Sequence, residues 1–175
     1  MRPRIRSHRT HLMATAAVFL VLAALAPTSA LTKAGGTDRP VKGTALGDVA
    51  VAIPALNIST DTSGVMTHLG KYTAHFEGSA EIVGGRTLGE GTFTVVAANG
   101  DELTGTFALN GALPSGEPHS LTVVLTVTGG AGRFADASGT ITAPLVATPS
   151  CFLEPSCPGA LVETLEGQLT GMISY

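Results

Sequence analysis

The chain has no tryptophan and only two tyrosines. A barrel that crosses an outer membrane needs aromatic girdles and large apolar side chains on its lipid face. With aromatics this scarce and one strand face rich in threonine, that architecture is excluded. Basic residues are also few. Arg2, Arg4, Arg6 and Arg9 crowd the start, and beyond Ala30 only Lys33, Arg39, Lys42, Lys71, Arg86 and Arg133 remain against all thirteen acidic residues, a net charge of −7 for residues 31–175. A chain that acidic, with no basic cluster, is repelled by phosphate backbones and anionic lipid, so no nucleic-acid or membrane partner is expected. Catalytic motifs are missing too. There is no G-x-S-x-G elbow and no H-E-x-x-H pair, so nucleophilic and metallohydrolase chemistry has nothing to rest on. Neither a metal nor a cofactor is implied.

No apolar run is long enough to span a bilayer. The longest, Met13–Ala26, falls short of the roughly 20 residues a spanning helix needs. Behind the cationic start and ahead of Pro27-Thr28-Ser29-Ala30, it reads as a secretory signal over residues 1–30, cut near Ala30. No Arg-Arg pair occurs and no cysteine stands directly behind the run, which favours general secretion without a lipid anchor. The expected location is extracellular. The 145 residues that remain suffice for one domain with a real core. Cys151 and Cys157 are the only cysteines, spaced C-x5-C, and in an exported protein the default is one disulfide worth roughly 2–3 kcal/mol. A redox pair would need C-x-x-C at a helix start, and a zinc site four spaced ligands.

Residues 31–41 are polar and aperiodic and read as a flexible leader, with the domain occupying 42–175. From there the pattern is period two, as half-buried strands require. Val49, Val51 and Ile53 alternate with alanines up to Pro54. Met66–Gly78 reads as one long strand whose drier face carries Met66, His68, Tyr72, Ala74 and Phe76. Phe93, Val95 and Ala97 precede Asn99-Gly100, a tight-hairpin signal, and Leu103, Phe107 and Leu109 return. Leu121, Val123, Leu125 and Val127 alternate with a largely threonine face, as do Ile141, Ala143, Leu145 and Ala147. Pro144 suggests an edge or a bulge there, and an edge would invite self-association. The last strand sets Leu161, Leu165, Leu169, Ile173 and Tyr175 on one face with Glu163. About eight strands with no helical period imply an all-β antiparallel barrel.

Gly129–Gly139 stands apart: Gly-Gly-Ala-Gly-Arg-Phe-Ala-Asp-Ala-Ser-Gly between two strands. Gly130–Ala135 matches G-x-G-x-x-A, but a strand starts near Thr140, and a dinucleotide site needs a full helix there. A fold-determining corner with a short helical turn near Gly130–Ala135 is the better reading. Arg133 and Asp136 within it would pair or stay solvated.

The corner Gly-Gly-x-Gly-x-Phe-x-x-Ala-x-Gly resembles that of allene oxide cyclase-like barrels and the related dirigent proteins. Thr67-His68-Leu69-Gly70-Lys71-Tyr72, Asn99-Gly100-Asp101 and the ending Glu166-Gly167 through Ile173-Ser174-Tyr175 are similar to secreted bacterial members of that barrel group. The resemblance spans roughly Gly64–Tyr175. Ala131 stands where a hydroxyl residue often sits. No active-site residue of the plant cyclases maps onto this chain one by one, so no catalytic role is carried over. The resemblance implies an eight-stranded barrel with an apolar interior able to hold a small hydrophobic molecule.

Glu163 and His68 are the ionisable groups on faces expected to point inward, and Tyr72 shares the face of His68. Buried charges are costly unless paired, so these groups should meet or line a wet cavity. They would form an acid/base or ligand-orienting pair, or a satisfied structural hydrogen bond, the commoner arrangement. The candidate ligand-binding residues are His68, Tyr72, Phe76, Phe107 and Glu163. Three functions follow: a binder of a small hydrophobic molecule, a cofactor-free cyclase or isomerase using Glu163 or His68, or an interaction module whose barrel is packed solid. The balance leans away from an enzyme.

Overall fold

The computed structural model describes residues 36–52, 55–152 and 160–175. The expected signal segment and residues 31–35 lie outside them. Eight strands run in sequence order: β1 (Asp38–Ala52), β2 (Asn57–Met66), β3 (Gly70–Val83), β4 (Arg86–Ala97), β5 (Glu102–Ala112), β6 (His119–Ala131), β7 (Ser138–Phe152) and β8 (Ala160–Ser174). Each pairs antiparallel with the next, and β8 closes on β1, giving a closed eight-stranded barrel. A single 3-10 turn, Gly132–Phe134, joins β6 to β7. The expected fold class and the short helical turn in the glycine corner are both present.

Alternation sets the inside. Leu121, Val123, Leu125 and Val127 are buried, as are Ile141, Ala143, Leu145 and Ala147, while Thr122, Thr126 and Thr140 face out. An eight-stranded barrel is just wide enough to be filled by side chains or to hold one small ligand.

Four details differ from the sequence reading. β1 starts at Asp38, so Asp38–Val41 pair with β8 instead of forming leader. Met66–Gly78 is two strands: residues 67–69 are a turn, and His68 has φ 73° there. Pro144 marks no edge, because β7 lies between β6 and β8. Its missing N–H shows as a gap in the β7–β8 ladder between Thr142 and Leu145. The β4–β5 loop is a turn with Gly100 N–H donating to the Ala97 carbonyl (2.9 Å) and φ 84° at Gly100. Positive φ is needed at Gly100 alone, the type I turn plus bulge arrangement.

The meander puts the β2–β3 and β4–β5 turns, the corner, the start of β1 and the end of β8 at one end. That end is plugged. Phe134 and Ala137 are 0% exposed, and the Phe134 ring stands edge-on to Tyr175 with centroids 4.6 Å apart. Arg133 pairs with Asp101 (2.6 Å), not with Asp136, and its Nη2 donates to the His68 carbonyl at 2.9 Å. The Arg133 guanidinium holds the Asp101 carboxyl below the usual carboxylate range, with Asn99 assisting. Gly139 has φ 146°, and a Cβ there would stand 2.2 Å from the Met172 carbonyl oxygen. The corner therefore tolerates no side chain at that position. The other ends of the strands form the opposite end of the barrel.

Candidate functional site

The barrel is not packed solid. A cavity of about 400 Å³ runs from Met66 and Tyr72 near the plug to Ile82, Leu113 and Pro114 toward the opposite end. Its wall is aliphatic and phenyl, interrupted by a few polar groups. The volume lies in the range of small-molecule pockets.

Tyr72, Phe76, Phe107 and Glu163 all line this cavity, as expected. Phe76 packs edge-on to Phe107 with centroids 5.6 Å apart and leans on Phe93 at 6.1 Å. Tyr72 Oη donates to the Thr44 carbonyl oxygen at 2.8 Å, passing over Gly64, where a Cβ would stand 2.9 Å from that hydroxyl. Burial pushes the Tyr72 phenol up to about 12. Its ring lines the cavity, but its hydroxyl serves the fold.

His68 does not face the cavity. The left-handed backbone of its turn breaks the alternation. Its Nε2 lies 3.1 Å from the Pro40 carbonyl oxygen and its ring stands edge-on to Tyr175 at 6.0 Å. It sits at the plugged end, whereas Glu163 is near the start of β8 at the opposite end, so the expected His68–Glu163 pair does not form.

The histidine that does reach Glu163 is His119, the first residue of β6. Its Nδ1 lies 3.3 Å from the Glu117 carbonyl oxygen, which can accept from it. That turns Nε2 inward, 3.6 Å from Glu163 Oε1, with the two side chains 8% and 5% exposed. His119 crosses β7 opposite Ala147, whose small side chain leaves the path open. Burial pushes the Glu163 carboxyl above its ordinary range, and the His119 charge offsets part of this. At 3.6 Å the contact is too long for a hydrogen bond, and Glu163 Oε1 is unpartnered, as is Thr60 Oγ1 on β2.

His119 and Thr60 both carried a sequence signal. Stepping back by two from Leu121 reaches His119 behind Pro118. Stepping back by two from Met66 reaches Gly64, Thr62, Thr60 and Ile58. Polar residues on those steps hid the inner face.

Outside the barrel, His75 stands between Asp61 (2.7 Å) and Glu77 (3.2 Å). Its hydrogen bonds to Asp61 and then Glu77 raise its pKa. Among the described residues, no group of three or more His, Cys, Asp or Glu is placed to hold a metal ion. Cys151 lies one residue before the end of β7, and its expected partner Cys157 lies outside the described residues.

Comparisons of the chain with family models, with curated proteins and with solved structures find no match.

Proposed function

We propose that this is an exported barrel that binds a small hydrophobic molecule in its interior, of the allene oxide cyclase-like type that its corner motif resembles. The observation that carries the binding reading is the cavity of about 400 Å³, walled almost wholly by apolar side chains and reaching from the plug toward the opposite end of the barrel. Burial of apolar surface at about 25 cal/mol per Å² drives such binding. Organic extraction of the purified protein followed by mass spectrometry tests it. A lipophile recovered in amounts close to the protein supports the reading; extracts indistinguishable from buffer, with no lipophile taken up on addition, contradict it.

The second reading is a cofactor-free cyclase or isomerase, favoured by the facing of Glu163 and His119 across 3.6 Å. A buried carboxyl with a raised pKa beside an imidazole can give and take one proton against a bound apolar substrate. Under this reading, Glu163→Gln abolishes turnover of a bound substrate while leaving its uptake intact. Export and the Cys151–Cys157 disulfide belong to the same proposal. The secreted chain should begin near Leu31 and show no titratable thiol without reductant. A chain beginning at Met1, or two reactive thiols, contradicts them.

A further inference from the structure

Two polar atoms inside the barrel lack a hydrogen-bond partner, Thr60 Oγ1 and Glu163 Oε1. Both residues are deeply buried, at 5% and 4% exposure. They also share one level of the barrel. Thr60 on β2 and Glu163 on β8 are both cross-strand partners of Val49 on β1, and all three line the cavity. Strands spaced ~4.8 Å apart put the two backbones ~10 Å from each other. A polar group of a bound molecule lying across that level is offered both atoms.

The two atoms need different things. The Thr60 hydroxyl needs an acceptor for its proton, and Glu163 Oε1 needs a donor. His119 does not supply that donor, because its Nε2 stands 3.6 Å away, beyond hydrogen-bond reach. A ketone or ether accepts only. A carboxylate accepts only and adds a second negative charge beside a desolvated acid. An ammonium donates only. A hydroxyl group does both through a single oxygen. We propose that the cavity takes a neutral lipophile bearing one hydroxyl group, its oxygen held between Thr60 and Glu163. This rests on reading the cavity as a ligand site.

The test is displacement of the neutral fluorophore N-phenyl-1-naphthylamine from the intact barrel by 1-decanol, 2-decanone and decanoate, matched in carbon number. Decanol should displace at about tenfold lower concentration than decanone, the worth of one additional hydrogen bond, with decanoate weakest. Glu163→Met should weaken the alcohol alone, and Thr60→Val should weaken alcohol and ketone together. Thr60→Val is near-isosteric, so it decides the matter if Glu163→Met does not fold. Equal midpoints for decanol and decanone, or an alcohol midpoint unmoved by Thr60→Val, overturn the hydroxyl assignment and leave the cavity's binding role standing. No uptake of the fluorophore, the alcohol or the ketone overturns both.

Discussion

At the plugged end, Arg133 meets Asp101 and the His68 carbonyl, Tyr72 meets the Thr44 carbonyl, and Phe134 is sealed against Tyr175. Toward the other end, where the barrel is hollow, Thr60 and Glu163 each keep an unpartnered oxygen, and His119 stands 3.6 Å from the carboxyl. The same barrel satisfies its polar groups where it is filled and leaves them unmet where it is hollow. Buried polar groups without partners cost stability, so the hollow end gives up stability that the filled end supplies. Substitutions at the two ends should therefore differ in kind.

The largest effect belongs to the plug. Phe134→Ala removes a wholly buried ring and should cost about 3–5 kcal/mol in denaturant unfolding. A loss below about 1 kcal/mol would mean that the corner does not anchor the barrel. Next is Gly139→Ala, which drives a Cβ toward the Met172 carbonyl oxygen at 2.2 Å and at φ 146°. It should cost about 1–3 kcal/mol, whereas Leu113→Ala at the rim, 42% exposed, should stay within about 0.5 kcal/mol.

At the hollow end the effect depends on pH. The Glu163 pKa is raised by burial, so its stabilising contribution is complete below the ordinary carboxylate pKa. That contribution is lost as pH rises through the raised folded value. Glu163→Gln removes this loss, so its stability relative to wild type should climb from the ordinary carboxylate range upward. Parallel pH profiles from urea melts would contradict the buried-acid assignment. The smallest effect is that of Arg133→Met. The Asp101 pKa is lowered, chiefly by Arg133, so that contribution is present above the ordinary carboxylate pKa and lost as pH falls through the lowered one. The variant should show a shallower acid loss, visible at low salt and gone at high salt. The same acid profile at both salt concentrations and in both proteins would show that the pair contributes nothing.

Much of this contrast was legible from period two alone. The alternation that placed Tyr72, Phe76, Phe107 and Glu163 inside holds because each lies within an unbroken strand, where side-chain direction follows from sequence spacing. The glycine corner was legible because positive φ and close approach leave glycine as the only fit. His68 was misplaced because one left-handed residue resets the alternation, and nothing in Thr67-His68-Leu69 announces a turn. His119 was missed because Pro118 and the loop before it masked the first step of β6. Thr60 was missed because a threonine reads the same on either face. The pairing of Asp38–Val41 with β8 joins chain positions more than a hundred residues apart, and local pattern carries no signal for such a closure.

The most direct test of this division is an equilibrium titration of N-phenyl-1-naphthylamine into the wild type and into Ala143→Phe. Ala143 is a buried residue of the cavity wall, and a phenyl ring there projects into the hollow and leaves the plug untouched. The account predicts a single saturable site in the wild type, lost in Ala143→Phe while that variant still unfolds cooperatively. Equal binding by both proteins, or no saturable binding by the wild type, would contradict it.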